Sequence, residues 1–222
     1  MNELKHLAVV MDGNRRWARK NGLLEKIGYK QGAKIVEEII EVCIEEQIEN
    51  LTLYAFSTEN WQRPKEEVDF LFKLLEKYLD ESLPQFIMNE VRFRAIGNFD
   101  LLDDFILQKI KNFEDQTKDC SKLCVNLAIS YGSKDEIVRA VKKIIEKKLE
   151  ITEENIQANL DLSEDVDLFL RVGSAKRISN FLLWQSSYAE IHFSPTLFPA
   201  LTKKEFNSII NDFKKRKRTF GK

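Results

Sequence analysis

The sequence is poor in the residues that mark linkers, disordered tails and disulfide scaffolds. Its 222 residues include only eight glycines and four prolines, which excludes collagen-like and linker-rich chains. Three cysteines cannot all pair, and no CxxC or zinc-type spacing is present, so we expect buried thiols in a reducing compartment. The first apolar stretch, residues 7–11, is too short for a signal peptide and has no cleavage site, so we expect no signal peptide. No apolar run approaches the about 20 residues of a membrane span. We therefore expect a cytoplasmic protein, with at most a peripheral contact at the inner face of a membrane.

An excess of charge of one sign is also missing. Lys and Arg number 35 against 36 Asp and Glu, a net charge of -1, which argues against a protein that coats nucleic acid. The patterns GxxxxGK[ST] and GxGxxG are absent, which argues against nucleotide kinases and nicotinamide enzymes. What the chain does have is 43% apolar residues, with 15 phenylalanines, enough for one sizeable core. We expect one domain over residues 1–222.

Apolar, strand-like segments alternate with helical patterns along the whole chain. The strand candidates are residues 6–11, 51–56, 91–96, 124–130, 168–172 and 190–193. The helix candidates are residues 30–47, 65–89, 101–118, 134–149, 152–159 and 203–215. Strands without polar alternation are typical of parallel sheets covered on both faces. The pattern predicts an α/β fold, a single domain with an open, mainly parallel six-stranded sheet and helices on both faces.

A polar cluster follows the first strand, at the edge where parallel sheets bind ligands. Residues 11–18 read MDGNRRWA, and Gly13 permits a tight turn into a helix whose free N–H groups bind anions. Further positive charge comes from Arg15, Arg16 and Arg19. Asp12 would repel an anionic ligand unless a divalent cation such as Mg²⁺ lay between them. The alternative is that Asp12 only caps the helix and the arginines are solvated.

A second polar cluster follows the second strand. Residues 56–64 read FSTENWQRP and offer hydroxyls, an amide and an arginine at the same edge of the sheet. The alternative is a capped turn into the next helix, with Pro64 at the first helical position. In that interpretation Trp61 only packs against neighbouring side chains and contacts no ligand.

A third cluster follows the fifth strand. Residues 170–180 read LRVGSAKRISN, and the arginine forks suit phosphoryl oxygens. Further along, Glu190 begins the last strand among apolar neighbours, where a carboxylate is costly unless it is paired or bound to a metal. An ordinary ion pair with an arginine is the alternative.

The helical segment 66–88 carries an apolar band wider than one face of a surface helix. Pro84 would bend it. The segment could line an apolar tunnel together with strand residues such as Val125, Leu127 and Ile129. The alternative is a buried core helix.

Together these segments resemble the cis-prenyltransferase family over essentially the whole chain, most closely the bacterial undecaprenyl diphosphate synthases. The matching strings lie at residues 11–18, 51–64 and 171–190. The resemblance implies a homodimeric, Mg²⁺-dependent transferase that extends farnesyl diphosphate with isopentenyl diphosphate units in the cis configuration. The expected product is a long-chain polyprenyl diphosphate, undecaprenyl diphosphate, the precursor of the lipid carrier for bacterial cell-wall peptidoglycan synthesis. A transient membrane-surface contact would accompany product release, and no nucleic-acid partner is expected.

The resemblance also implies roles for individual residues. Asp12 and Asn60 would be catalytic, and Asp12 and Glu190 would hold the metal. The residues expected to bind the diphosphate substrates are Gly13, Asn14, Arg15, Arg16, Trp17, Ser57, Thr58, Glu59, Trp61, Arg63, Arg171, Arg177 and Ser179. Of these, Arg171, Arg177 and Ser179 match the isopentenyl diphosphate site.

The chain departs from the family pattern at several positions. Arg15 stands where many bacterial members have glycine, and Glu25 and Tyr29 stand where they often have arginine and histidine. The remaining departures are Ala175, Lys176 and Thr219. Glu25 and Tyr29 are therefore given no role from the resemblance.

Two other classes of function compete with the enzyme. One is a catalytically silent partner subunit, against which the intact Asp12, Asn60 and Glu190 argue. The other is an RNA-binding protein that uses the basic run at residues 214–218, which is better interpreted as a solvated helix end or a weak attraction to anionic lipid. A trans-prenyltransferase is excluded because no complete DDxxD motif is present.

Overall fold

The computed structural model describes residues 2–217, and it contains the predicted sheet. The strands are β1 (His6–Met11), β2 (Asn50–Ser57), β3 (Val91–Ile96), β4 (Leu123–Tyr131), β5 (Leu168–Val172) and β6 (Glu190–Ser194). Their order is β3-β4-β2-β1-β5-β6, and every pairing is parallel. The predicted α/β class and the six-stranded sheet are confirmed, and the predicted strand ends differ by no more than one residue.

Seven α-helices connect and cover the strands in the part of the chain that is described. They are α1 (Asn14–Lys20), α2 (Glu25–Glu45), α3 (Lys65–Met88), α4 (Asp104–Thr117), α5 (Ser133–Glu146), α6 (Glu153–Asn159) and α7 (Lys203–Lys215). Two short 3-10 helices lie at Thr58–Gln62 and Phe198–Ala200. Helix α2 begins five residues before the predicted start at residue 30, because Gly28 in its first turn lowers helix propensity.

The central strand β1 is buried on both faces. Leu7 and Val9 belong to a large apolar cluster with side chains of α2, α3, α4 and α7. Ala8 and Val10 point the other way, into a second cluster that contains residues of the segments after α6 and after β5. Alternate residues of one strand thus enter two cores, as expected of a parallel sheet covered on both faces.

Threonines cap two of the helices, and the three cysteines differ in burial. Thr152 and Thr202 cap α6 and α7, since their hydroxyls accept the backbone N–H of the residue three positions on, each at 3.2 Å. The prediction of three buried thiols is correct for Cys43 only. Cys120 and Cys124 are half-buried, because Cys120 lies in the turn after α4 and Cys124 near the start of β4.

Membrane-spanning segments were not expected from the sequence. Across residues 2–217, none of the helices combines the length and the apolar character needed to cross a bilayer.

Candidate active site

The three polar clusters of the sequence meet at one edge of the sheet. Asp12 follows β1, Ser57 ends β2, and Gly173 follows β5, and β1 lies between the other two strands. A cavity of about 920 Å³ opens at this edge. Parallel α/β proteins bind ligands at the carboxyl ends of their strands, so the cavity lies where a ligand is expected.

Asp12 is held between two arginines at the centre of this edge. Arg171 Nη2 donates to Asp12 Oδ2 at 2.9 Å, and Arg16 Nη2 lies 3.0 Å from Asp12 Oδ1. Arg171 is only 4% exposed, and a guanidinium buried to that degree requires a counter-charge. Asp12 therefore neutralises Arg171 and ties the loop after β1 to the strand β5.

The loop after β5 is fixed by the same arginines. Arg16 donates to the Gly173 carbonyl at 2.6 Å, and Arg171 Nη1 donates to Ser179 Oγ at 2.6 Å and to the Arg177 carbonyl at 2.8 Å. Gly173 has φ 115°, and a Cβ there would lie 2.6 Å from the Asp12 carbonyl oxygen. Only glycine fits this close approach. Arg171, Arg177 and Ser179 all line the cavity.

The segment after β2 forms a capped 3-10 turn beside the cavity. Asn60 Oδ1 accepts the Ser57 N–H at 3.1 Å, and the Ser57 side chain accepts the Asn60 N–H in return. Asn180 donates to Glu59 at 3.1 Å, which joins this turn to the loop after β5. Burial favours the neutral acid, but hydrogen bonds from the Glu59 backbone and from Asn180 outweigh it and lower the pKa of Glu59. The capped turn expected as an alternative is thus present, and it also presents Asn60 to the cavity.

Most of the residues expected to be catalytic or to bind substrate line this cavity. They are Asp12, Gly13, Asn14, Arg15, Arg16, Ser57, Glu59, Asn60, Arg63, Arg171, Arg177 and Ser179. Three expected residues are not among its lining in the described part of the chain: Trp17, Thr58 and Trp61. Trp61 stacks on Phe72 with ring centroids 5.3 Å apart and donates to Ser130 Oγ at 2.9 Å. Trp61 therefore packs against Phe72 in this structure. Substrate contact by Trp17, Thr58 and Trp61 stays a prediction.

Glu190 does not lie beside Asp12 in the chain. It begins β6 opposite Leu168, the first residue of β5, whereas Asp12 follows the far end of β1. Glu190 instead forms an ion pair of 2.9 Å with Arg216. Within one chain the two carboxylates therefore lie at opposite ends of the sheet, and metal binding by Glu190 stays a prediction. The ion-pair alternative describes Glu190 here.

Two residues that depart from the family pattern, Arg15 and Glu25, form an ion pair at the cavity rim. Arg15 Nε lies 2.7 Å from Glu25, Arg19 Nη2 lies 2.5 Å from the same carboxylate, and Arg15 Nη1 lies 3.4 Å from Glu67. Burial favours the neutral acid, but the hydrogen bonds from Arg19 and Arg15 outweigh it and lower the pKa of Glu25. Arg15 and Glu25 thus neutralise each other's charge.

Tyr29 takes part in the neighbouring contacts of Glu67. Its hydroxyl donates to Glu67 at 2.8 Å, and Arg63 donates to Tyr29 at 3.1 Å and to Glu67 at 3.0 Å. Burial and the Glu67 carboxylate raise the pKa of Tyr29, so the phenol stays neutral. Sequence reasoning missed Glu67. Arg63 precedes Pro64 and the start of α3, so its four-residue spacing from Glu67 is not the signal of an ion pair along a helix.

The interior of the cavity is apolar. Its walls include side chains of α3 and β4: Leu71, Phe72, Leu74, Leu75, Tyr78, Leu127 and Ile129. Helix α2 adds Ala33 and Val36. Of the expected tunnel segment 66–88, only the middle part lies at the cavity wall, together with Leu127 and Ile129. Leu79, Phe86 and Val125 are instead buried in the main core and are not among the lining residues.

The residues at the rim fit a magnesium ion that a substrate helps to hold. Among residues 2–217, no three His, Cys, Asp or Glu side chains are grouped so as to bind a metal by themselves. Mg²⁺ commonly keeps several waters and binds through one or two carboxylates plus substrate phosphates. Asp12 supplies one carboxylate at the cavity rim, next to arginines that attract phosphate.

Rim and interior together define the class of protein. Arginines surround a polar opening, and an apolar cavity continues behind it. Such a site suits an amphiphilic ligand with an anionic head and an apolar tail, and the chain is a binding protein or enzyme for such molecules.

Comparison with known proteins gives the family. A family described as putative undecaprenyl diphosphate synthase matches residues 10–221. An isoprenyl transferase of Campylobacter jejuni (strain RM1221) is 65% identical over 222 residues, all of both chains. The crystal structure of a probable undecaprenyl diphosphate synthase from Campylobacter jejuni has 61% identity and a TM-score of 0.89, and covers 100% of both chains. Lavandulyl diphosphate synthase from Lavandula x intermedia, crystallised with dimethylallyl diphosphate, has 28% identity and a TM-score of 0.94 over 99% of both chains. The chain belongs to the undecaprenyl diphosphate synthase family of prenyltransferases, and it is a transferase.

Proposed function

We propose that the protein condenses isopentenyl diphosphate units onto farnesyl diphosphate with cis double bonds. The product would be a long-chain polyprenyl diphosphate, undecaprenyl diphosphate, used as the precursor of the lipid carrier for cell-wall synthesis. The observation that carries the proposal is the continuity of the cavity, which joins an arginine-lined rim to an apolar interior. A diphosphate fits the first part, and a growing prenyl chain fits the second.

Each substrate is assigned to one side of the rim. Gly13, Asn14 and Arg16, after β1, would bind the allylic diphosphate. Arg177 and Ser179, after β5, would bind isopentenyl diphosphate, with Arg171 holding both sides together through Asp12. The bound dimethylallyl diphosphate of the lavender relative supports a prenyl diphosphate as the ligand class.

The proposed reaction breaks one bond and forms another at this rim. The C1–O bond of the allylic diphosphate breaks, and the isopentenyl double bond attacks C1 to form the new C–C bond. One proton is then lost from the adduct to a base, for which Asn60, a water and a diphosphate oxygen are candidates. The arginines offset the charge that develops on the departing diphosphate, a stabilisation that acts most strongly in the transition state.

Magnesium is proposed as the cofactor, with Asp12 as its protein ligand. When bound, it would neutralise diphosphate charge and assist departure of that group. Asp12 also orients Arg171 through the 2.9 Å contact, so its carboxylate has a structural task that is independent of the metal.

Assembly and location complete the proposal. Exposed apolar side chains on and after α5, namely Val138, Ile145 and Leu149, support a homodimer interface. The protein would act in the cytoplasm and contact the membrane surface when its product leaves.

The test is an incubation with labelled isopentenyl diphosphate, farnesyl diphosphate and Mg²⁺. The proposal predicts a ladder of butanol-extractable products that ends in a long chain and requires both Mg²⁺ and the allylic primer. A purified, folded protein that incorporates no label would contradict it and favour the silent-subunit alternative. Label released after a single condensation would contradict the long-chain product.

A further inference from the structure

One of the two basic segments of the chain lies near its start. Residues 15–34 contain seven Lys and Arg and a single acidic residue, Glu25, although the whole chain has a net charge of -1. That segment comprises most of α1, the turn after it and the first half of α2.

The candidate active site explains only part of this charge. Arg15, Arg16 and Arg19 line the cavity. The other four basic residues are exposed and do not belong to the lining that the described residues form: Lys20, Lys26, Lys30 and Lys34. Three of these lysines are four residues apart on α2, so they form one line along the helix.

Exposed apolar side chains lie at the start of the same helix. Leu24 is 70% exposed, and Leu23 and Ile27 are about 40% exposed. Ile27 is one residue from Lys26 and three from Lys30, so it borders the line of lysines. A protein surface that meets only water seldom groups large apolar side chains in this way.

The surface lies next to the mouth of the cavity. The face of α2 that lines the cavity carries Tyr29, Gly32, Ala33 and Val36. Lys30 and Lys34 directly follow two of these positions, and one residue along a helix is about 100° around its axis. The exposed lysines therefore occupy the face adjoining the cavity wall.

We propose that this surface, the α2 basic face, docks on an anionic lipid bilayer. It consists of Lys20, Leu23, Leu24, Lys26, Ile27, Lys30 and Lys34. The apolar side chains would enter the headgroup region while the lysines contact anionic headgroups, the arrangement of interfacial helices. The purpose of the contact rests on the proposed function, since it brings the cavity mouth to the membrane that receives a polyprenyl product.

The other basic segment of the chain is a weaker candidate. Lys214 is paired with Glu46, and Arg216 is paired with Asp212 and Glu190. These contacts neutralise charge that an anionic membrane would otherwise attract. Residue 218, the last of that run, lies outside the described residues.

Vesicle flotation of the full chain tests the proposal without substrate. Wild-type protein should float with vesicles of equal phosphatidylglycerol and phosphatidylcholine but not with phosphatidylcholine alone. A basic side chain near an anionic surface contributes about fivefold in partitioning, so Lys26→Gln, Lys30→Gln and Lys34→Gln combined should lower it about a hundredfold. Leu24→Ser should also lower it. The matched control, Lys111→Gln, Lys118→Gln and Lys204→Gln, changes charge equally at exposed sites on or next to α4 and α7 and should partition as wild type does.

Four results would overturn the proposal. Two are wild-type protein that does not float with the anionic vesicles at all, and an α2 triple variant that floats as wild type does. The others are a control triple variant that loses as much partitioning as the α2 variant, and an equal loss in Lys215→Gln with Lys217→Gln. Circular dichroism checks the fold of every variant, and Leu24→Ser provides a second test at another kind of residue. Turnover without vesicles should be unchanged in the α2 triple variant. If wild-type protein had no prenyltransferase activity, the proposed function would fail while flotation still decided the docking surface.

Discussion

The rim and the interior of the same cavity are built in different ways. The rim comes from three loops at strand ends, and charge pairs such as Asp12 with Arg171 hold it in place. The interior comes from one face of α3, one face of β4 and part of α2, and its walls are mainly apolar side chains. The rim thus holds charged groups in defined positions, whereas the interior provides an apolar space of limited volume.

Because of this difference, substitutions at the rim and in the interior should affect different properties of the enzyme. A change at the rim should alter turnover or substrate affinity and leave product length unchanged. A change in the interior should alter product length and leave the affinity for diphosphates nearly unchanged. The predictions below test that separation.

The largest effect is expected at Asp12. Asp12→Ala should lower turnover by about a hundredfold or more, the usual loss when one preorganised electrostatic group is removed from an active site. Farnesyl diphosphate binding, measured by calorimetry, should remain largely intact. Asp12→Asn keeps the shape of the side chain and should lose turnover similarly.

The control for this prediction is Asp119→Ala, which removes an exposed carboxylate next to Cys120 and far along the chain from the rim. Near-normal turnover in a folded Asp12→Ala protein would remove Asp12 from the mechanism. Circular dichroism is required, because loss of Asp12 leaves the buried Arg171 without its counter-charge.

A smaller effect is expected at Arg177. Arg177→Ala should raise the KM for isopentenyl diphosphate about tenfold or more and change that for farnesyl diphosphate much less, since one charge-assisted contact is worth about 1.5–3 kcal/mol. Arg171→Ala should raise the same KM but also lower stability, because Arg171 is buried among Asp12, Arg177 and Ser179.

The matched control is Lys176→Ala, which removes an exposed neighbouring cation. Equal changes in both KM values for Arg177→Ala would mean that the arginine serves the other pocket. Unchanged values would mean that it binds neither substrate.

Product length should respond to the interior. Leu75→Ala should lengthen the product and Ala33→Leu should shorten it, each by about one isoprene unit, because a closely packed interior admits another unit only where volume is available. Chromatography of dephosphorylated products measures the shift. Val125→Ala is the control, since Val125 is buried outside the cavity wall. Identical product distributions in all active variants would refute the tunnel assignment.

The smallest effect is expected at the rim ion pair of Arg15 and Glu25. A double-mutant cycle with Arg15→Gln and Glu25→Gln should give a coupling of about 0.5 kcal/mol in the free energy of unfolding, typical of partly exposed pairs. The pKa of Glu25 is lowered in the folded state, so the coupling should be present at neutral pH. It should be lost as the pH falls below 4.5, the ordinary pKa of glutamate. Coupling that persists in strong acid would contradict the ionic account.

The sequence predicts the rim better than the interior. β1, β3 and β5 have their predicted bounds because buried parallel strands are continuous apolar runs. Asp12 follows β1, and Ser57 and Arg171 lie at the carboxyl ends of β2 and β5, so the rule for parallel sheets predicts that they meet. Val125, Leu127 and Ile129 share one face of β4. The interior depends on how far along that face the cavity reaches, since Leu127 and Ile129 line it whereas Val125 does not.

Contacts between distant side chains were beyond sequence reasoning. The partners of Glu25 and Tyr29 depend on how α1, α2 and α3 pack, which residue spacing alone does not specify. The separation of Glu190 from Asp12 follows from strand register, once β6 is known to lie beside β5. The Thr219 departure lies outside the described residues.

A crystal structure with farnesyl thiodiphosphate, an analogue that reacts slowly, tests the central claim most directly. The account predicts its diphosphate beside Gly13, Asn14 and Arg16, and its apolar chain between α3 and β4 against Leu75 and Leu127. A diphosphate bound elsewhere, or a prenyl chain lying outside the cavity, would contradict the division of the cavity into a charged rim and a prenyl-binding interior.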